Sequence, residues 1–292
     1  MIPYKLAARN GSNINTTIQI SSQEGPCLIG EGSLTVIAGP CAVESEESIL
    51  TNAFLVKEMG AHILRGGASK PRTSPYSFPG PGVEGLKYLA LAKKETGLPV
   101  VTEVMDVRDI DKVMEVADLL QVGSRNMQNF PLLQELSRLQ VPIILKRGFA
   151  ATVEEWLLAA EYIMSGGNHQ VILCERGIRT FEASTRNTID LGVVPLVKEL
   201  CHLPIIVDPS HGTGKWQMVR PIAKAAVAAG ADGIMIEIHH HPEEALSDGE
   251  QSLNPQNFAR LMTEVGMIAK VEGKEFLRIN PSPPMHSSLN AD

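Results

Sequence analysis

Aromatic residues are scarce in this chain of 292 residues, at 4% of the composition, although hydrophobic residues reach 43%. The core must therefore be built mostly from Leu, Val, Ile and Ala, a composition typical of parallel sheets covered by helices on both faces. A chain of this length can form one large domain or two average ones, and α/β barrels of this size are routinely single domains.

Paired cysteines and long apolar runs are also missing. The four cysteines, Cys27, Cys41, Cys174 and Cys201, are widely spaced and form no C-x-x-C pair, so a disulfide framework is excluded. No stretch approaches the ~18 apolar residues of a membrane span. The N-terminus lacks the apolar core of a signal peptide. We therefore expect a cytoplasmic protein with no membrane partner.

Positive charge is in short supply as well, with a formal net charge of -7 and a pI near 5.7. A nucleic-acid or membrane-surface partner would require a basic face. These partners are excluded, and any site for an anion must be a local cluster of cations.

From Leu34 onward, apolar runs alternate with amphipathic segments, which predicts βα units and a parallel sheet. The predicted strands are residues 34–38, 62–65, 100–104, 119–122, 143–146, 171–174, 205–207 and 234–238. The predicted helices are residues 46–59, 83–96, 108–116, 130–139, 153–164, 191–200, 218–229 and 254–269.

Eight such repeats fit a (β/α)8 TIM barrel better than a doubly wound sheet, which usually has five or six strands. We assign residues 34–272 to this barrel and residues 1–33 to an N-terminal extension. Short alternating pieces at 17–20 and 27–29, on either side of 24–26, predict a β-hairpin in that extension. Residues 273–292 form a C-terminal tail whose last part is rich in Pro and Ser.

Cations collect where the predicted strands end, which is the mouth of a TIM barrel, where the βα loops converge. Any single one could be a structural ion pair. Together, in an acidic protein, they predict a substrate or two substrates carrying several negative charges. Eight of the 26 Lys and Arg residues belong to this group: Arg65, Lys70, Arg72, Arg125, Lys146, Arg147, Arg176 and Arg179.

A second group of residues, Cys41, His211, Glu237 and Asp248, becomes a cluster only if the barrel closes. Cys41 alone would be interpreted as a small buried hydrophobe, and His211 as a loop histidine bonded to backbone. Together they offer the mixed S, N and O ligands of a divalent Mn, Fe, Co or Zn ion. The run 239–241, which is three histidines, competes for the imidazole role.

Other catalytic motifs are absent or incomplete. Gly212-Thr-Gly-Lys215 superficially resembles a P-loop, but Trp216 stands where Ser or Thr is required. There is no G-x-S-x-G and no H-E-x-x-H sequence. Lys146 is the best candidate for a Schiff-base lysine, although its cationic neighbours favour charge pairing with a substrate anion.

Four segments in one order resemble the 3-deoxy-D-arabino-heptulosonate 7-phosphate (DAHP) synthases of the smaller type Iβ subgroup. They are Ile37-Ala-Gly-Pro-Cys-Ala-Val-Glu44, Leu64-Arg-Gly-Gly-Ala-Ser-Lys-Pro-Arg-Thr-Ser-Pro75, Asp208-Pro-Ser-His211, and Glu237 with Asp248-Gly-Glu-Gln-Ser252. The likeness spans about residues 34–262. It implies a metal-dependent barrel enzyme of the shikimate pathway that condenses phosphoenolpyruvate with erythrose 4-phosphate and releases inorganic phosphate.

The resemblance also implies roles for individual residues. The metal ligands would be Cys41, His211, Glu237 and Asp248. The erythrose 4-phosphate segment would be Lys70, Pro71, Arg72 and Thr73, with Glu103 and Asp208 lining the site. Phosphoenolpyruvate would be held by Arg65, Lys70, Arg125, Lys146 and Arg176.

The nearest alternative is the sister enzyme 3-deoxy-D-manno-octulosonate 8-phosphate (KDO8P) synthase, which uses arabinose 5-phosphate. Its corresponding loop typically reads Lys-Ala-Asn-Arg-Ser, whereas this chain has Lys70-Pro-Arg-Thr73, which favours the four-carbon acceptor. A barrel that only binds phosphorylated metabolites is the non-enzyme alternative. No regulatory domain is expected beside the barrel, and we expect a homo-oligomer, a dimer or a tetramer.

Overall fold

The computed structural model describes residues 3–9, 11, 14–23, 25–71 and 74–276. Within them, eight parallel strands form one closed barrel, in which each strand pairs with the next one along the chain and the last pairs with the first. This architecture confirms the predicted (β/α)8 barrel. The barrel strands are β3 (Thr35–Gly39), β4 (Ile63–Arg65), β5 (Val100–Glu103), β6 (Leu119–Val122), β7 (Ile143–Lys146), β8 (Val171–Glu175), β9 (Ile205–Val207) and β10 (Gly233–Glu237).

Side chains of the barrel strands alternate between two apolar environments, which is why the strands read as continuous hydrophobic runs. In β3, Ile37 points into the barrel interior, whereas Val36 and Ala38 belong to the layer between the sheet and the helices. The interior is aliphatic, as the scarcity of aromatic residues predicts. It is filled by Ile37, Ile63, Val101, Leu119, Ile144, Ile172, Cys174, Ile206 and Met235.

The predicted hairpin is present as β1 (Ile18–Ile20) and β2 (Cys27–Ile29), which pair in antiparallel register. Its inward residues belong to the same apolar cluster as the barrel interior. The hairpin lies at the N-terminal end of the strands, where the Thr35 hydroxyl donates to the Leu28 carbonyl at 2.7 Å. The hairpin therefore closes the end of the barrel opposite the mouth. Of the predicted turn 24–26, Glu24 lies outside the described residues.

Helices follow the strands as predicted, and the bounds differ mainly at the ends. They are α1 (Glu46–Glu58), α2 (Val83–Thr96), α3 (Ile110–Met114), α4 (Phe130–Leu136), α5 (Val153–Ser165), α6 (Val193–Leu200), α7 (Pro209–Thr213), α8 (Trp216–Ala228) and α9 (Pro255–Val271). The prediction for α4 is three residues too long because its last turn tightens into 3₁₀ geometry, with Leu139 N–H bonded to the Leu136 carbonyl at 3.2 Å.

The short helix α7 was not predicted. Asp208 caps its N-terminus by accepting a hydrogen bond from the His211 N–H at 3.0 Å, and Pro209 occupies the first turn. An Asp followed by Pro is a recognised helix start. In the described part of the chain, no helix is long and apolar enough to cross a membrane.

Two aspartates, each just before a barrel strand, make the same pair of hydrogen bonds, one to a lysine and one to a backbone N–H of the preceding strand. Asp232, just before β10, accepts the Ile205 N–H at 3.0 Å and the Lys198 ammonium at 2.6 Å. Asp118, just before β6, accepts the Val100 N–H and the Lys93 ammonium, both at 2.8 Å. Each aspartate thus links its own strand to the preceding strand and to the helix that comes before that strand.

We expect Asp232→Ala to lower the free energy of unfolding by about 3 kcal/mol, because it leaves buried charges without their partner. The Asp232 side chain is almost fully buried and also contacts Lys274 at 3.2 Å. Glu135→Ala is the matched control, since it removes an exposed carboxylate paired with Arg138 and should change stability by less than ~1 kcal/mol. Urea unfolding measures both, and an Asp232→Ala midpoint equal to that of the wild type would refute the prediction.

Candidate functional site

The inward-facing residues of the barrel strands are apolar along most of each strand. At the C-terminal ends of the strands, at the mouth of the barrel, the inward-facing residues are polar. In β7, for example, Ile144 is followed two residues later by Lys146, and in β10 Met235 is followed by Glu237. Because side chains alternate with period two, these polar residues project into the same space. The layer so formed consists of Arg65, Glu103, Gln121, Lys146, Arg176, Asp208 and Glu237, all buried.

Four side chains beside this layer offer one ligand atom each within 4.8 Å of one another: Cys41, His211, Glu237 and Asp248. Cys41 follows β3, His211 lies in α7 after β9, and Glu237 ends β10. Asp248 lies in the loop after β10 with φ of 56°, a left-handed conformation that Asp adopts more readily than most residues. The structure therefore brings together the four residues predicted as metal ligands.

The tautomer of His211 follows from its neighbours. Its Nδ1 lies 2.7 Å from Asp208 Oδ2, so Nδ1 carries the proton and donates it to the carboxylate. Burial, opposed by the Asp208 and Glu237 carboxylates, lowers the pKa of His211 to about 4. At neutral pH the ring is uncharged and its Nε2 lone pair faces the cluster, as in histidines that bind metals.

The donor atoms fit a cation. The Nε2 of a neutral His211 lies 3.2 Å from Glu237 Oε1, so two electron-pair donors face each other without a proton between them. Such a contact is repulsive unless positive charge lies nearby; the Arg65 guanidinium supplies one charge at Oε1, and a bound cation would supply more. A sulfur, an imidazole nitrogen and two carboxylates together suit a borderline divalent ion.

The Cys41 thiol is protonated and hydrogen-bonded on both sides. Burial, reinforced by the Glu237 carboxylate, raises the pKa of Cys41 to about 12. The thiol donates to Asp248 Oδ2 at 2.9 Å and accepts from the Ser247 hydroxyl at 3.3 Å. A thiolate is the form of cysteine that binds metals, so loading this site requires loss of that proton.

Two predicted cations lie directly beside the cluster. Arg65 donates to Glu237 Oε1 at 2.7 Å and to the Cys41 carbonyl at 3.3 Å. Lys70 is buried, and a Cβ at Gly67 would lie 2.3 Å from its Cδ, so the glycine makes room for this lysine. The glycine-rich segment after β4 therefore allows a close packing of cations that a larger residue would prevent.

A cavity of about 270 Å³ opens at the mouth next to the cluster, where it reaches His211 and Asp248. Lys146 at its base forms an ion pair with Asp208 at 2.5 Å. Burial lowers the pKa of Arg176 to about 10 because the charged guanidinium group loses solvation there. A bound anion would stabilise that charge. The lining includes the predicted residues Lys70, Pro71, Glu103, Arg125, Lys146 and Arg176.

One aromatic ring in this cavity wall organises three guanidinium groups. The ring centre of Phe149 lies 4.7 Å from Arg176, 4.7 Å from Arg179 and 5.3 Å from Arg125. Cation–π attraction holds the arginines on the ring face despite their mutual repulsion. The arrangement places three positive charges around one ring.

Some predicted members of the site lie elsewhere or outside the described residues. Arg147 pairs with Glu175 at 3.0 Å in the protein interior, so for this residue the alternative of a structural ion pair is correct. The imidazoles of residues 239–241 are not in the four-donor cluster, and His239 Nδ1 lies 2.7 Å from the His241 carbonyl oxygen. Arg72 and Thr73 lie outside the described residues.

Three residues near the cluster were not assigned a role from the sequence: Phe149, Arg186 and Gln251. Gln251 donates to Glu237 Oε2, and Arg186 contacts Asp248. Gln251 stands inside the motif that begins at Asp248, which could have drawn attention to it. Arg186 lies well beyond the end of β8, in a loop whose sequence has no periodicity from which the direction of the side chain could be predicted.

The chain resembles enzymes whose names denote related sugar acid products. It is 50% identical over 271 residues to the phospho-2-dehydro-3-deoxyheptonate aldolase of Thermotoga maritima, covering 93% of this chain and 79% of that protein. A crystal structure of phospho-2-dehydro-3-deoxyheptonate aldolase (DAHP synthase) from that organism superimposes with a TM-score of 0.90 at 48% identity, covering 94% of this chain and 79% of that chain.

A second group of relatives is more distant. The 2-dehydro-3-deoxyphosphooctonate aldolase of Acidithiobacillus ferrooxidans is 31% identical over 257 residues, which cover 80% of this chain and 90% of that protein. The model of the DAHP synthetase I family matches residues 15–271 of this chain. From the barrel, the four-donor cluster and these similarities together, the chain belongs to the DAHP synthetase I family.

Proposed function

We propose that this chain catalyses the metal-dependent condensation of phosphoenolpyruvate with D-erythrose 4-phosphate and water, giving DAHP and inorganic phosphate, the first step of the shikimate pathway. The observation that carries the proposal is the four-donor cluster beside a cation-lined cavity at one barrel mouth. The 50% identity to the Thermotoga maritima enzyme supports the seven-carbon product.

In this proposal, phosphoenolpyruvate binds to Arg65, Lys70, Arg125, Lys146 and Arg176. Guanidinium groups match phosphate and carboxylate oxygens through paired N–H donors, and Lys70 and Lys146 add point charges. Holding both substrates in this fixed cavity converts a collision of two molecules into a near-unimolecular step, worth up to ~7 to 11 kcal/mol in favourable cases.

The metal ligands are Cys41, His211, Glu237 and Asp248, and the ion is Mn, Fe, Co or Zn. A divalent ion bound there supplies a Lewis acid for the aldehyde oxygen of the acceptor. Asp208 holds the His211 ring with Nε2 toward the cluster, and Arg65 holds Glu237. These contacts orient the ligands before substrate arrives.

The bond changes occur on the substrates. The C3 carbon of phosphoenolpyruvate attacks the aldehyde carbon, positive character develops at C2, and water adds there. The hydroxyl group of the resulting hemiketal phosphate loses its proton and forms the C2 ketone as the bond from C2 to the phosphate oxygen breaks, which releases phosphate. The surrounding cations offset the negative charge of the two substrates throughout.

A Schiff-base mechanism on Lys146 is disfavoured. A lysine nucleophile must be uncharged, whereas the Lys146 ammonium is held in a buried ion pair with Asp208 at 2.5 Å. The non-enzyme alternative, a metabolite-binding barrel, does not require the donor cluster, yet all four of its ligands converge.

The acceptor segment comprises Lys70, Pro71, Arg72 and Thr73, of which Lys70 and Pro71 line the cavity. Glu103 also lines the cavity, while Asp208 acts through Lys146 and His211. We further propose a cytoplasmic homo-oligomer, a dimer or a tetramer. We also propose the division into an extension (1–33), a barrel (34–272) and a tail (273–292).

Inorganic phosphate release from phosphoenolpyruvate tests the acceptor directly. With added Mn²⁺, we expect erythrose 4-phosphate to support a kcat/KM at least tenfold above that with arabinose 5-phosphate, because the sequence 70–73 departs from the sister enzyme's loop. Faster turnover with arabinose 5-phosphate would reassign the chain to octulosonate synthesis. Release of no phosphate with either sugar would refute the proposed reaction.

The metal requirement is tested by Cys41→Ala, which removes the only sulfur of the four-donor cluster. We expect this variant to lose metal-dependent turnover and tight Mn²⁺ binding. Cys27→Ala is the matched control, because Cys27 is also buried but lies in the hairpin at the opposite end of the barrel. Full wild-type activity in excess chelator would rule out the metal proposal.

The role of the arginine cluster is tested by Arg176→Gln. Loss of a charge-assisted hydrogen bond costs about 1.5–3 kcal/mol, so the KM for phosphoenolpyruvate should rise tenfold or more. Arg138→Gln serves as the control because Arg138 is an exposed helix residue paired with Glu135. Steady-state kinetics at saturating erythrose 4-phosphate measures the KM for phosphoenolpyruvate in both variants. An unchanged KM in Arg176→Gln would contradict the assignment.

A further inference from the structure

The loop between β8 and α6 lies against the helix that carries His211. Backbone hydrogen bonds run from Arg186 N–H to the Thr213 carbonyl at 3.1 Å and from Asn187 N–H to the Gly212 carbonyl at 2.9 Å. The Asn187 side chain donates to the His211 carbonyl at 3.0 Å. The backbone at residue 186 is therefore fixed relative to one of the four donors.

The packing at Arg186 depends on the absence of a side chain opposite it. Gly214 ends α7 with φ of 70°, and a Cβ there would lie 2.6 Å from the Arg186 Cβ. The glycine thus both adopts the left-handed cap and lets the arginine approach the helix. From this position the guanidinium group reaches across to the loop that follows β10.

That guanidinium group contacts two acceptors through the same nitrogen. Arg186 Nη1 lies 3.3 Å from Asp248 Oδ1 and 2.7 Å from Gln251 Oε1. The Gln251 amide in turn donates to Glu237 Oε2. One arginine therefore acts on two of the four donors, directly on Asp248 and through Gln251 on Glu237.

In each carboxylate, Arg186 or Gln251 contacts one oxygen, and the other oxygen faces another donor of the cluster. In Asp248, Oδ1 contacts Arg186 while Oδ2 lies 2.9 Å from Cys41 Sγ. In Glu237, Oε2 accepts from Gln251, while Oε1 accepts from Arg65 at 2.7 Å and lies 3.2 Å from His211 Nε2. Hydrogen bonds to ligating carboxylates orient them and raise metal affinity.

We propose that Arg186 is a positioning residue for the metal centre: it fixes the orientation of Asp248 directly and of Glu237 through Gln251. The inference rests on the metal site of the proposed function. It adds a residue from the β8–α6 loop to a centre whose four ligands come from other parts of the chain.

A titration of the substrate-free protein with Mn²⁺ tests this role. The electron paramagnetic resonance signal of the free ion measures how much Mn²⁺ remains unbound. Arg186→Met keeps the aliphatic stem and removes the charge and donors, and we expect its Kd for Mn²⁺ to rise about 10- to 100-fold. Arg186→Lys restores a donor and should recover part of the affinity. Arg138→Met, an exposed arginine far from the mouth, should bind as the wild type does.

A double-mutant cycle with Gln251→Leu tests the relay. If Arg186 acts on Glu237 through Gln251, the double variant should lose less affinity than the product of the two single losses. Independent effects would refute the relay, and a wild-type Kd in Arg186→Met would refute the positioning role. Thermal unfolding in chelator should be unchanged in Arg186→Met, and a large drop there would assign the arginine to folding instead.

These outcomes are separate from the fate of the proposed reaction. Because Mn²⁺ binding is measured without substrates, the reaction can fail while the wild type still binds the ion and Arg186→Met still weakens binding. If the wild type binds no Mn²⁺, the metal centre itself is refuted, together with the role of Arg186.

Discussion

Closure of the barrel between β10 and β3 is the constraint on which the site depends. The backbone register sets Glu237 beside Gly39, and the Ile238 N–H continues the pairing to the Gly39 carbonyl at 3.1 Å. Cys41 follows β3 two residues later, so its thiol meets a carboxylate nearly 200 residues away in the chain. Without that pairing, neither the donor cluster nor the Arg65–Glu237 contact could form.

Charge compensation is the second requirement at the mouth. Buried ions are expensive unless they are paired, and here each pair also serves the site. Arg65 neutralises Glu237 while orienting it, and Asp208 neutralises Lys146 while fixing the His211 tautomer. Arg176 has less compensation, and burial lowers its pKa. The stability of the fold and the proposed affinity for anions therefore depend on the same groups.

Much of this arrangement could be predicted from the sequence because it follows from periodicity. Strand positions follow from apolar runs, and period-two alternation places Glu237 inward once Met235 is interior. Residues that act through distant loops escape this reasoning. The direction of Arg186 depends on how a long loop folds over α7, and the pairing of Arg147 with Glu175 depends on packing between neighbouring strands. Local sequence carries no signal for either contact.

The N-terminal hairpin has an electrostatic consequence. By sealing the far end of the barrel, β1 and β2 extend the apolar interior of low dielectric constant that lies beneath the charged layer. Field lines from the cations beside the cavity spread weakly through that interior and emerge mainly through the mouth. A protein with a net charge of -7 repels anions over most of its surface. The hairpin thus helps this one opening act as an electrostatic funnel for phosphorylated molecules.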